Sequence, residues 1–133
     1  MRKSRKNNPL MTQSAEFAKR IMALSNELNR QKKYAIADQI LRSGTSIGAN
    51  IREAQFGESL ADFSHKLHIS LKEASETLYW LDLLRDDGLI SKEEHESLSA
   101  ACDSLLRMLY SAIRTTQKKI AAKKNCCPPD VAV

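Results

Sequence analysis

Apolar residues recur every three to four positions along most of this chain, the spacing of one buried helix face. Phe17, Ile21, Leu24 and Leu28 form the first such stripe, which predicts a helix from Thr12 or Ser14 to Arg30. Ile36, Ile40, Ile47, Ile51 and Ala54 form a second, over Tyr34 to about Gln55, after a Gln-Lys-Lys break that contains neither Gly nor Pro. The third, Leu60 to about Arg85, is the most regular: Leu60, Phe63, Leu67, Leu71, Ala74, Leu78 and Leu81. Leu98, Leu105, Leu109, Ala112 and Ile120 carry a fourth helix to about Ala122. Gly57 and Gly88 stop the second and third helices, Ser59 caps the third with Asp62 in its first turn, and Ser91 with Glu94 forms a capping-box pattern for the fourth. Four amphipathic segments joined by short links predict an all-α, antiparallel up-down four-helix bundle. Residues 1–11 then form a basic N-terminal tail, 12–122 the bundle and 123–133 a C-terminal tail.

Two features exceed what a bundle core needs. At 100° per residue, Ile69, Trp80 and Leu83 project from the side of the third helix opposite Phe63 and Leu67, interleaved with Asp62, Glu73 and Glu76. Exposed tryptophan and aliphatic residues ringed by charge have the composition of a protein interface. On the second helix Gln39, Ser43, Ser46, Asn50 and Glu53 make a polar ribbon beside the isoleucine stripe, and Gly44 and Gly48, with Ala37, line its other flank. These glycines and hydroxyl residues each cost a helix roughly 0.5 to 1 kcal/mol relative to alanine. Close helix packing and a polar seam, inside the bundle or between subunits, would offset that cost. The expected oligomer interface is therefore Asn50, Glu53, Asp62, Ile69, Glu73, Glu76, Trp80 and Leu83.

Charge separates the ends from the middle. The 133 residues carry a net charge of +5, yet residues 10 to 103 hold eleven bases against fifteen acids, near −4. The excess lies in Arg2, Lys3, Arg5 and Lys6 at one end and in Arg107, Arg114, Lys118, Lys119, Lys123 and Lys124 at the other. Such ends serve either as polyanion contacts or as solubility charge. Arg107, Arg114 and Lys118 share one helix face, without a recognition-helix pattern or an aromatic platform. The binding this predicts is weak, salt-sensitive and independent of base sequence. No apolar run reaches the roughly 18 residues of a membrane span, and the basic start has no apolar segment behind it, so neither membrane insertion nor export is expected. Cys102, Cys126 and Cys127 form no spaced framework, which suits a reducing cytoplasm.

The stretch "SGTSIGANIREAQFGESLADFSHKLHISLKEASETLYWLDLL" resembles the bacterial four-helix-bundle family named after proteins encoded by intervening sequences within 23S ribosomal RNA genes. The residues that carry the resemblance are Ser43, Ser46, Ile47, Ala49, Asn50 and Glu53, then Ser59, Asp62 and Phe63. "KEASETLYWL", and "YAIADQ" with Tyr34, Ile36 and Gln39, also match, and the likeness runs from about Phe17 to Ile113. It implies an up-down bundle that assembles as a ring, a homopentamer, with an association with RNA or the ribosome drawn from gene context. A more distant likeness, to the accessory protein of diversity-generating retroelements, implies partnership with a reverse transcriptase.

Catalytic patterns are weak. Glu58, Asp62, His65 and His68 are the best metal-like set, but no second Glu-x-x-His pair completes a bundle site. Nothing in the sequence brings Cys102 to a histidine, and "SGTSIG" lacks the lysine and preceding strand of a phosphate loop. The expectation is a non-catalytic cytoplasmic protein without cofactor or metal, partnered with itself and with RNA or an RNA-bound protein. The alternative is a pure protein scaffold or accessory subunit.

Overall fold

A computed structural model describes residues 8–125, which form four helices: α1 (Pro9–Arg30), α2 (Tyr34–Ala54), α3 (Leu60–Asp86) and α4 (Lys92–Asn125). Sequential helices pack along their lengths and α1 meets α4 along a slimmer seam, so the four close into an up-down bundle. Arg20 reaches across that seam to Ser97 Oγ at 2.6 Å.

Helix ends follow local chemistry. Asn8 Oδ1 accepts from the N–H groups of Leu10 (3.0 Å) and Met11 (3.4 Å), and Pro9 sits where the first helical N–H would have no partner. This Asn-Pro cap starts α1 a turn before the expected Thr12 or Ser14, and α4 likewise runs past Ala122 to Asn125. At the end of α3, Gly88 takes φ 74°, with Leu89 N–H donating to Leu84 O (2.9 Å) and Gly88 N–H to Arg85 O (3.0 Å). This paired closure satisfies two orphan carbonyls. The glycine-free break after α1 has the same geometry: Lys32 takes φ 64°, while Lys33 N–H donates to Leu28 O (2.8 Å) and Lys32 N–H to Asn29 O (2.9 Å). Ser59 and Ser91 cap as expected, through Asp62 N–H and Glu94 N–H, each at 3.0 Å.

The core is aliphatic around Phe17, with Ile21, Leu28, Ile40, Ile47, Ile51, Leu67, Leu81, Leu98, Leu105 and Leu109 fully enclosed or nearly so. Helix α3 departs from expectation. Its buried face is Ser64, Leu67, Ser70, Ala74, Thr77, Leu81 and Leu84, so Leu60, Phe63, Leu71 and Leu78 are only half-buried. The rotation brings small hydroxyl residues against α2. Ser70 Oγ donates to Ile47 O at 2.8 Å, and Thr77 Oγ1 is hydrogen-bonded to Ser43 Oγ at 2.9 Å and to its own helix at Glu73 O, 2.8 Å. A polar seam thus lies inside the bundle, but of the ribbon expected on α2 (Gln39, Ser43, Ser46, Asn50 and Glu53) only Ser43 is buried and joins it.

The glycines of α2 serve the opposite flank. A methyl group on Gly44 would lie 2.7 Å from Ile21 Cγ2 and 2.9 Å from Cγ1, and one on Gly48 would lie 3.1 Å from Ser14 Oγ. Gly44 is therefore the point at which α1 lies directly on the α2 backbone, and Ser25 Oγ adds a bond to Ala37 O at 3.0 Å. No described side-chain polar atom is buried without a hydrogen-bond partner.

Candidate nucleic-acid interface

Positions 107, 110, 111, 114, 115 and 118 recur at helical spacing, so their side chains share one face of α4. Arg107, Tyr110, Ser111, Arg114, Thr115 and Lys118 line a shallow depression of about 360 Å³ there. The grouping of Arg107, Arg114 and Lys118 is as the spacing predicts. Lys119, Lys123 and Lys124 are exposed further along the same helix but turn to other sides of it. The remaining expected cations, Arg2, Lys3, Arg5 and Lys6, lie outside the described residues.

None of these six α4 cations takes part in an ion pair among the described residues. The stretch from Ser104 to Asn125 holds no acid, and the first turn of α1 has none either. Attraction to the helix C-terminus accounts for Lys123 and Lys124 in the last turn, but that effect fades within a turn and leaves Arg107, Arg114 and Lys118 uncompensated. Arg114 and Lys118, four residues apart, repel by roughly 0.2 to 0.5 kcal/mol. Tyr110, Ser111 and Thr115 were not anticipated in this site. The signal for Tyr110 was present, since it lies three residues after Arg107 and four before Arg114.

The expected oligomer interface is only partly a face. Ile69, Glu73, Glu76, Trp80 and Leu83 recur at helical spacing on α3, and Lys66 on the same side reaches Glu53 Oε1 of α2 at 2.8 Å. That pairing raises the Lys66 ammonium above its usual range, chiefly through the hydrogen bond. Trp80, expected to be exposed, is half-buried against the core, with its Nε1–H donating to Glu76 Oε2 at 3.0 Å and its ring 5.1 Å from that of Tyr79. It leans inward because α3 is rotated. Ile69 is half-buried as well, and Leu83, 39% exposed, lines an apolar cleft of about 440 Å³ with Ile36, Leu84 and Leu89. Asn50 spends its Nδ2–H on Ser46 O of its own helix at 2.9 Å, and Asp62 Oδ2 accepts from Glu58 N–H at 3.2 Å. Burial pushes the Glu73 carboxyl above its ordinary range, and Glu76 adds repulsion that Arg42 partly counters.

The candidate catalytic groups do not converge. His65 is exposed, His68 Nδ1 bonds Ser64 O at 2.9 Å, and no described cluster of His, Cys, Asp or Glu has the grouping of a metal site. Cys102 is sealed in the core, its Sγ–H donating to Ala74 O at 3.3 Å, and burial pushes its thiol up to about 12. The buried histidine is instead His95, whose Nε2 meets Asp82 Oδ1 at 2.8 Å and lies 3.3 Å from Arg85 Nη1 and from Ser99 Oγ. Its neighbours Asp82 and Ser99 lie on different helices, a grouping that only the α3–α4 packing creates. No helix of the described residues is long and apolar enough to cross a membrane.

Comparison with known proteins places the chain. No curated protein matches it. Among solved structures, a protein with unknown function from the S23 ribosomal protein family of Bacteroides thetaiotaomicron aligns with a TM-score of 0.77 and 50% sequence identity, over 78% of this chain and 97% of its own. The family model described as 23S rRNA-intervening sequence protein matches residues 6–111, and the chain belongs to that family.

Proposed function

We propose that this 23S rRNA-intervening sequence family protein is a non-catalytic cytoplasmic bundle that associates with RNA, free or within the ribosome, through the basic face of α4. The observation that carries the reading is the run of six cations on α4 with no ion-pair partner among the described residues, ending in a helix whose last buried residue is Thr116. Charges that repel one another in the free protein are relieved when a polyanion displaces its own counterions onto them. The enclosure of the Cys102 thiol in the core removes it as a nucleophile.

A ring of five copies, in contact through the Ile69–Leu83 side of α3 and the Asn50–Glu53 end of α2, would repeat the basic face. Several weak phosphate contacts then combine by multivalency. Fluorescence anisotropy with a labelled RNA across a salt series tests the reading. The affinity is expected to fall steeply with salt. Replacing Arg107, Arg114 and Lys118 together by Gln should flatten the log–log slope by about 2 to 3 for each subunit in contact with the RNA, close to one for each phosphate no longer neutralised. Absence of binding at low salt sinks the reading.

A second reading, a protein scaffold or accessory subunit that does not touch nucleic acid, is favoured by the apolar cleft beside Leu83 and by exposed Tyr34 and Tyr79. It predicts the same oligomer and no salt-dependent RNA binding.

A further inference from the structure

Tyr110 is the one Phe, Tyr or Trp on α4, and it is 59% exposed within the acid-free stretch. Its hydroxyl has no hydrogen bond and its ring no aromatic neighbour among the described residues, whereas the similarly exposed Tyr79 rests beside Trp80. Arg107 lies one turn before it and Arg114 one turn after, so a guanidinium flanks the ring on each side along the helix axis. Exposed Ser111 and Thr115 hydroxyls lie beside them in the same depression.

These groups have distinct preferences. Guanidinium and hydroxyl groups hold phosphate oxygens without regard to base. An exposed aromatic face between them stacks on a base only where that base is out of a duplex, because stacked base pairs offer no free face and an A-form major groove is too narrow for side chains. From this juxtaposition we infer that the α4 face is a single-stranded RNA site, in which Tyr110 stacks on an unpaired base while Arg107, Arg114 and Lys118 track the phosphates on either side. Between Arg107 and Lys118 the helix advances about 16 Å, enough for a few nucleotides of extended strand. The inference rests on the RNA reading above and adds to it a strand preference and a base contact.

The test compares wild-type, Tyr110→Ala and Tyr110→Phe proteins by anisotropy at one salt concentration. The ligands are a mixed-sequence single-stranded RNA, a duplex RNA of equal length, and inorganic polyphosphate as a base-free polyanion. Thermal melts of both variants check that the exposed position leaves the fold intact. The wild type is expected to prefer the single strand. Tyr110→Ala should weaken single-strand binding on the order of tenfold, the scale of one base–aromatic stack, and leave duplex and polyphosphate binding unchanged. Tyr110→Phe, which keeps the ring, should bind like the wild type. Equal single-strand affinity of Tyr110→Ala and wild type overturns the stacking inference and leaves charge-driven RNA binding standing. An equal loss on all three ligands also overturns it, since that pattern marks a change in the electrostatic surface. If the wild type binds neither RNA, the RNA reading itself fails and this inference with it.

Discussion

Gly44→Ala measures how closely α1 lies on α2. In an unconstrained helix the change stabilises by about 1 kcal/mol, because alanine is the better helix former. Here the new methyl would stand 2.7 and 2.9 Å from two carbons of Ile21, about 1 Å inside the optimal 3.5–4.0 Å separation. Ile21 is fully buried and branched at Cβ, so its χ1 has no free well to move into, and relief must come from a shift of the helix pair. Overpacking of this kind costs about 1 to 3 kcal/mol, and the stiffness of Ile21 puts the cost toward the upper end. The expected net effect is a destabilisation of about 1 to 2 kcal/mol. Ile21→Ala alone should cost about 2 to 5 kcal/mol, but in that background Gly44→Ala should become stabilising, because its methyl enters the space left behind. The coupling between the two changes is then about 2 to 3 kcal/mol. Urea unfolding followed by helical ellipticity, at one fixed chain concentration, yields all four corners of the cycle. Additive effects, or a neutral Gly44→Ala in the wild-type background, would refute the close-approach account. Gly48→Ala supplies a contrast. Its nearest neighbour is Ser14 Oγ at 3.1 Å, held by its bond to Met11 O, which need give way by only a few tenths of an ångström, so the gain in helix propensity is largely offset and the effect should lie within about 1 kcal/mol of zero.

Lys32 occupies the left-handed position that glycine takes after α3, so Lys32→Gly should raise stability by about 0.5 to 1 kcal/mol in thermal or urea unfolding; a loss would show that the side chain contributes a contact of its own. Thr77→Val strips Ser43 Oγ of its inter-helix partner and should cost about 1 to 3 kcal/mol, much of which Ser43→Ala added to it should restore. If the double variant is as unstable as the sum of the singles, the seam is not a pairwise hydrogen bond. The raised Glu73 carboxyl means that the folded state holds this proton more tightly than the unfolded chain, so its contribution to stability falls as pH rises through the carboxylate range. Glu73→Gln should therefore stabilise at pH 7 and converge with the wild type in acid, and a gain that persists unchanged below the carboxylate range would contradict burial as the cause.

Much of the fold was legible because α1, α2 and α4 each have one dominant apolar stripe. Helix α3 was legible as a helix but not in its rotation. It carries leucine on more than one side, and hydrophobicity alone ranks Leu60, Phe63, Leu71 and Leu78 above Ser64, Ser70 and Thr77 as core residues. What decides the orientation is the set of partners available across the interface: Ile47 O and Ser43 Oγ on α2 form hydrogen bonds with the small hydroxyl side chains of Ser70 and Thr77. The same rotation draws Trp80 inward. The glycines of α2 could be assigned to close packing from their spacing, but not to α1 as the neighbour, because the sequence does not say which flank faces which helix. At the basic site the cations were read from spacing and Tyr110 was passed over, since an aromatic at helical spacing reads first as core and only its exposure identifies it otherwise.

The distal part of α4 connects the fold to the proposed site. Thr116 is the last buried residue of α4, the longest of the described helices, and beyond it Lys118, Lys119, Lys123 and Lys124 follow within about eight residues. Ile120 is the only residue of this segment that is even half-buried, and lysines four apart at 119 and 123 repel by roughly 0.2 to 0.5 kcal/mol. It persists as helix because it propagates from an already nucleated one, with Ala121 and Ala122 as strong formers and the helix dipole favouring the terminal cations. A segment balanced in this way responds to its ionic surroundings. Bound polyanion should extend amide protection past Thr116 toward Asn125, while high salt without polyanion should screen the lysine repulsion only modestly. Hydrogen exchange of residues 117–125 with and without RNA reads this directly. Unchanged protection under conditions where binding is saturated would confine the contact to the Arg107–Lys118 face and break the link between the charged overhang and function.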